Sequence, residues 1–269
     1  FYVGQWDDHE VINDFGAAWS AWHTKDPYRP GFSTLVDAGR GAFLAYTPHR
    51  DGPIHRQLDW GPTAALFVLD ARSFRDDNAQ PDGPDKTLLG VDQRDWVAKG
   101  VAASTAHWKL LSLDVPLSVP TGSTPWQSGR DGVASGDGDP AAAGPDISAQ
   151  TGFEAELSAL LATWDRQDID GLVFVTTDVH FARVTRYAHD FDGDGEPLVF
   201  HEVIAGPLRA WMGEPVPADP SFGPTVLFEA GLVQNFAILD VGEDELAVEI
   251  VGADGASLGT RTIVRAPSR

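Results

Sequence analysis

Cysteine is absent from this chain of 269 residues, methionine occurs once, and tyrosine only four times. Without thiols there is neither a disulfide framework nor thiolate chemistry, so stability must come from an ordinary packed core. Positive charge is also scarce. Nineteen Lys and Arg face 40 Asp and Glu, a formal net charge of −21. That balance argues against nucleic acid as a stable partner, because affinity for it comes largely from cations neutralising phosphates. It fits a surface kept soluble by repulsion or one that collects cations. Long hydrophobic runs are missing too: none approaches the roughly eighteen residues that a membrane span needs. No charged-then-apolar leader is visible before Phe1, so any signal peptide lies outside this sequence.

What is present is enough for a globular core, with 42% hydrophobic residues. Short apolar runs recur at Phe1–Trp6, Ala64–Leu69, Trp108–Leu113, Leu172–Val175, Leu198–Ile204, Asn235–Val241 and Leu246–Val251. Their length and bounding turn residues predict strands. Helices are expected at Gly90–Ser104 and Phe153–Trp164, the latter with Leu157, Leu160 and Leu161 on one stripe. Alternating strands and helices imply an α/β core, and the last two runs read as an antiparallel hairpin, so the sheets should be mixed. With no repeat and no linker, residues 1–269 are read as a single domain. Two loops are long, Gly122–Gln150, whose only apolar anchor of note is Trp126, and Pro207–Pro224. Loops of that length are functional or partly disordered.

Several runs end in polar residues that suit metals or anions. The first ends in Asp7-Asp8-His9-Glu10, and Ala64–Leu69 leads into Asp70, Arg72 and Arg75. Trp108–Leu113 ends in Asp114, and Leu172–Val175 leads into Asp178-Val179-His180. Ligands of open α/β sheets bind outside the carboxyl ends of the strands, so these groups should converge on one rim. Carboxylates suit hard cations, and imidazole widens the range to iron and zinc. Each acid alone could equally be a strand-end cap, but four consecutive ionisable groups after an apolar run would be costly to bury unless paired or metal-bound. A separate stretch, Asp190-Phe191-Asp192-Gly193-Asp194-Gly195, spaces its acids like a calcium loop but lacks the closing glutamate, and can also be an acidic turn. Trp19 and Trp22 read as core; His23, His49, His55, His107 and His189 lack metal spacing.

Gln5-Trp6-Asp7-Asp8-His9-Glu10-Val11 resembles a signature of the PhoD-like alkaline phosphatases, members of the calcineurin-like metallophosphatases. Leu69–Arg75, Leu88–Trp96 with Trp108-Lys109, Thr177–Ala182, His201–Leu208 and Phe222-Gly223-Pro224 match the family in the same order. The resemblance implies an α/β/β/α sandwich whose N-terminal part is absent here, and metal-dependent hydrolysis of phosphate monoesters or diesters. The alternative is a non-catalytic, calcium-stabilised secreted module or inactive fragment. The resemblance also implies Ca2+ and Fe3+ as metals, a phosphate-ester substrate, and a secreted, periplasmic or cell-surface location. By position, His9 matches the histidine that contacts phosphate. Asp8, with Asp7 beside it, falls in the metal-ligand set. Asp178 and His180 match a paired ligand position, and Asp114 lies where some relatives use a metal-binding histidine. Arg72 can be an oxyanion clamp or a structural ion pair, as can Arg75. The family's earlier aspartates would lie upstream of Phe1, so the site is expected to need the missing N-terminal half.

Overall fold

A computed structural model describes residues 2–16, 32–48, 52–121, 129–135 and 152–265. Trp19, Trp22, His23, His49 and Trp126 lie outside the described residues, as does most of the 122–150 loop.

The chain builds α1 (Phe32–Tyr46), β1 (Arg56–Trp60), β2 (Ala64–Val68), α2 (Val91–Ala103), β3 (Trp108–Ser112), α3 (Glu154–Asp165) and β4 (Leu172–Thr176). Six further strands follow: β5 (Ala182–His189), β6 (Leu198–Ile204), β7 (Pro224–Ala230), β8 (Asn235–Val241), β9 (Glu245–Gly252) and β10 (Ser257–Val264). A seven-stranded mixed sheet runs in the order β1-β2-β3-β4-β6-β5-β7. Its centre, β2, β3, β4 and β6, is parallel, while β1, β5 and β7 run antiparallel to their neighbours. The second sheet has three strands in the order β10-β9-β8, and β8 and β9 form the expected hairpin, with Val241 opposite Leu246.

One face of the large sheet presents Phe67, Leu111, Phe174 and Phe200 to Val97 and Val101 of α2 and to Leu157, Leu160, Leu161 and Trp164 of α3. The opposite face presents Trp108, Val173, Val184 and Val203 to Leu246, Val248 and Ile250 of β9 and Ile263 of β10. Because the central strands are apolar on both faces, both must be covered, and the result is helices on sheet on sheet. Each fully buried aliphatic or aromatic side chain in these layers contributes about 1.5–3 kcal/mol.

The first expected strand is corrected. Residues 2–7 have no ladder partner among the described residues. This segment lies across the carboxyl ends of two strands: Gln5 Nε2 donates to the Leu69 carbonyl at 2.6 Å, its Oε1 accepts from Ser112 Oγ at 2.7 Å, and Arg56 of β1 donates to the Gly4 carbonyl at 2.8 Å. Trp6 is buried against Phe15 and Phe43 in a small satellite core. The apolar pattern marked burial correctly, but that burial comes from packing beneath α1 rather than from sheet pairing.

Candidate functional site

The parallel strands set the geometry. β2 leads to Asp70, β3 to Asp114 and β4 to Asp178, so the three turns share one rim of the sheet. Asp70 is spent on structure. Its Oδ1 accepts from the Arg72 and Ser73 amides at 3.1 and 2.9 Å, while Gln93 of α2 pairs with the Asp70 main chain in both directions. That turn aims Arg72 inward. Across the rim, Asp8 closes a turn, with its carbonyl accepting from Val11 and Ile12 and its Oδ2 from the Asp14 amide at 2.7 Å. Asp178 and His180 both adopt positive φ, 76° and 61°. Non-glycine residues seldom take that conformation, and it is retained where surrounding structure enforces it.

At the centre sits Arg72, wholly buried. Its Nε meets Asp114 at 2.6 Å, Nη1 meets Asp131 at 2.8 Å, and Nη2 meets Asp7 at 3.1 Å. Arg75 meets Asp131 as well, at 3.1 Å, and Asn78 donates to the same oxygen. Every edge of the Arg72 guanidinium is therefore occupied, and the ion-pair alternative is the one its geometry matches. Arg75, stacked on Phe153 at 4.8 Å, is held in the same way. Asp131 was not anticipated: a single Asp in Gly-Arg-Asp-Gly within a low-complexity loop carries no pattern that distinguishes it from a turn.

Five carboxylates (Asp7, Asp8, Asp114, Asp131 and Asp178) thus face two guanidiniums. The surplus shows in their acidities. Burial, then the nearby Asp131 and Asp8, push Asp178 up to about 8, although Arg72 and a 3.0 Å hydrogen bond from Thr121 act the other way. Asp178 as a whole is only half-buried, but its carboxylate is the desolvated part. Burial raises Asp114 to about 6 despite Arg72 and Arg75, and its Oδ1 has no hydrogen-bond partner. Burial and Asp114 lift Asp7 well above the usual carboxylate range. Arg72 holds Asp131 below it, against the effect of burial. Mutually raised acids with an orphaned oxygen form a donor set that fits a hard cation.

The set opens onto a cleft of about 820 Å³ whose lining includes His9, Asn13, Thr121, Asp178, His180 and Trp211. His9 is exposed, with Nε2 at 4.0 Å from Asp8. His180 shares hydrogen-bond distance, 2.7 Å, between its Nδ1 and the Trp211 carbonyl. A carbonyl can only accept, so Nδ1 donates in this contact, and Nε2 is the ring nitrogen left for a ligand role. His9, Asp178 and His180 therefore share one cleft, with Asp8 and Asp7 beside it. Asp114 and Arg72 lie behind, walled off from solvent.

Among the described residues, the one set of three acids or histidines whose ligand atoms all lie within 4.8 Å of one another is elsewhere: Asp165, Asp190 and Asp192. The expected calcium loop is corrected in composition. Asp194 turns its carboxylate to the Glu196 amide, and Asp165, at the end of α3, takes its place in the group. Asp190 is itself tied to the Gly193 and Gly195 amides, and Asp165 to the Phe191 amide.

A mixed sheet with helices on one face and a second sheet on the other, and an acid-rich cleft at the carboxyl rim, defines this as an α/β sandwich. The match to the PhoD-like phosphatase family runs over residues 2–225, and the chain belongs to that family. Alkaline phosphatase D of Bacillus subtilis (strain 168) is 26% identical over 227 residues, covering 76% of this chain and 35% of that protein. A solved structure described as "Structure of PhoD" superposes with a TM-score of 0.67 at 18% identity, over 99% of this chain and 53% of the other. The chain thus spans about a third of the length of the first relative and about half of the second. No helix among the described residues is long and apolar enough to cross a membrane.

Proposed function

We propose that the cleft hydrolyses phosphate monoesters or diesters with bound metal ions, within a longer protein that supplies the remaining ligands. The observation that carries this reading is the gathering of Asp7, Asp8, Asp114, Asp131 and Asp178 around only two guanidiniums at the strand rim, against a cleft that His9, Asp178 and His180 line. Asp8, Asp178 and His180 would each contribute a ligand, although their ligand atoms do not lie within 4.8 Å of one another in this structure, and Asp7 would join them where Arg72 releases one oxygen. Asp114 acts through Arg72, which fixes the spacing of Asp7 and Asp131. Ions held there by Asp8, Asp178 and His180 would supply water activation and neutralisation of charge on the phosphoryl oxygens. His9, exposed and held by no short contact, is free to bind a phosphate oxygen and to donate a proton to the leaving alkoxide. Family membership supports calcium and ferric iron as the ions and the outside of the cell as the location. The Asp165–Asp190–Asp192 group supports a separate calcium that stabilises the fold.

The test is hydrolysis of p-nitrophenyl phosphate and bis-p-nitrophenyl phosphate by the full-length protein, before and after chelation. Activity that survives exhaustive chelation, or that Asp178→Asn leaves intact, would sink the reading.

A further inference from the structure

The loop 207–216 forms one wall of the cleft, and it is built rather than loose. At its start the buried Asn235 side chain brackets Gly206, accepting from its amide at 3.0 Å and donating to its carbonyl at 2.7 Å. The Asn235 amide also donates to the Pro207 carbonyl at 2.9 Å. In the middle, the Gly213 amide donates to the His180 carbonyl at 2.8 Å, and the Gly213 carbonyl accepts from Leu232 at 2.9 Å. A Cβ on Gly213 would stand 2.9 Å from the Val179 carbonyl, so the close approach requires glycine. At the far end Arg183, itself buried, donates to the Val216 carbonyl.

This scaffold holds Trp211 at the rim, where the residue is 71% exposed. Its ring lies 4.6 Å from the His180 ring, tilted by 31°, while its carbonyl orients that same imidazole. One ring face therefore meets a site histidine and the other meets water. Exposure of an indole costs hydrophobic free energy, and a fold that fastens the backbone on three sides while leaving the ring bare keeps it available for contact. The same cleft is lined by the apolar side chains of Val119, Pro120, Val179 and Val216 as well as by Asp178 and His9. A cleft that offers acidic and imidazole groups together with aromatic and aliphatic surface matches an ester with a charged phosphoryl group and a flat, apolar organic group.

Resting on the phosphoesterase reading of this site, we propose that Trp211 is the shelf for the organic group of the substrate, and that the cleft selects esters of aromatic or similarly flat apolar alcohols over small hydrophilic ones. Trp211 is thus a specificity residue through its ring and a positioning residue for His180 through its carbonyl. Any substitution at 211 keeps the carbonyl, so the two roles separate.

The experiment is equilibrium binding of phenylphosphonate and methylphosphonate, neither of which is a hydrolysable ester, to the full-length, metal-loaded protein by calorimetry. Phenylphosphonate is expected to bind about tenfold more tightly, a gain within reach of one aromatic contact. Trp211→Ala should reduce that preference to less than about twofold, and Trp211→Phe should restore most of it. Equal affinity in the wild type, a preference that survives Trp211→Ala, or no binding of either ligand would overturn the proposal. If the preference holds but no ester is hydrolysed, the catalytic reading fails while the shelf stands. In active protein, Trp211→Ala should raise KM for phenyl phosphate about tenfold more than it raises KM for 2-glycerophosphate. Equal losses on both substrates would overturn the shelf and leave Trp211 as a support for His180 alone.

Discussion

At the scale of single residues, charge decides most of what can be tested. His9 has no close ligand-type contact and stands exposed at the cleft mouth. His9→Ala is therefore expected to lower turnover about a hundredfold, the usual yield of one general acid, without changing metal content. Metal analysis of the variant checks this, and loss of bound metal would make His9 a ligand. Asp178 gives a pH prediction. Its folded pKa, about 8, exceeds the ordinary 3.8, so between those values the folded state holds a proton that the unfolded state has released. The stability this contributes is fully present below about pH 4 and is lost as pH rises toward about 8. In chelator the melting temperature should fall over that range, Asp178→Asn should flatten the fall, and added metal should raise stability most at the alkaline end. A wild-type curve that rises from pH 5 to pH 8 in chelator, with no change in Asp178→Asn, would contradict this. The gathering of Asp7, Asp8, His9, Asp178 and His180 at one rim was legible because each follows an apolar run or sits in a motif. Arg72 was legible as a cation but not in role, since exposure is invisible in a sequence. Asp131 and Thr121 were invisible, because their importance comes only from what the fold brings beside them.

At the scale of elements, one buried carboxylate ties the strand ends that carry the site. Glu202 of β6 accepts from the Leu117 amide and Thr176 Oγ1, both at 2.8 Å, and from Tyr187 Oη at 2.5 Å, while Tyr187 in turn contacts Ser118. The post-β3 loop bearing Thr121 and the β4 terminus leading to Asp178 are thus fixed to β5 and β6. Glu202→Ala removes the shared acceptor of three buried donors, of which Tyr187 alone keeps a partner in Ser118, and is expected to cost about 2–4 kcal/mol, whereas Tyr187→Phe should cost about 1 kcal/mol. Because the two share one network, the double variant should cost clearly less than the sum, which denaturant titration can measure. Additive costs would mean that the contacts act independently. Strands with continuous apolar runs, such as β3, β4 and β6, were legible to within a residue or two. β1, β5 and β10 were not: Arg-Gln-Leu-Asp-Trp, Ala-Arg-Val-Thr-Arg-Tyr-Ala-His and Ser-Leu-Gly-Thr-Arg-Thr-Ile-Val mix charge into the ladder. In β5, Arg183 can be buried because Glu229 of β7 meets it at 2.9 Å, a pairing that no local pattern announces. β7 opens on Pro224 at the sheet edge, where a missing amide costs no ladder bond.

At the scale of the whole molecule, a net charge of −21 acts on every folded conformation at once. Compaction gathers like charge, and the acid-rich rim adds a surplus that Arg72 and Arg75 do not cancel. Surface repulsion of this kind is screened over about 10 Å at 0.1 M salt and over about 30 Å at 0.01 M. Raising sodium chloride from about 0.01 M to about 0.5 M should therefore raise the melting temperature by at least about 3 °C, which for a domain of this size corresponds to about 1 kcal/mol. The site and the peripheral acids should respond differently from the bulk surface, because site binding by a divalent ion depends on geometry and not only on ionic strength. At fixed ionic strength, replacing part of the sodium chloride with calcium chloride should raise the melting temperature further, and Asp190→Asn should remove the share due to Asp165, Asp190 and Asp192. Equal melting temperatures in the two salts would leave screening as the sole effect of cations and would remove the grounds for calcium at that turn. A melting temperature that falls with sodium chloride would show instead that attractive pairs, such as Lys109–Asp170 and Arg265–Asp170, outweigh the repulsion of the acidic surface.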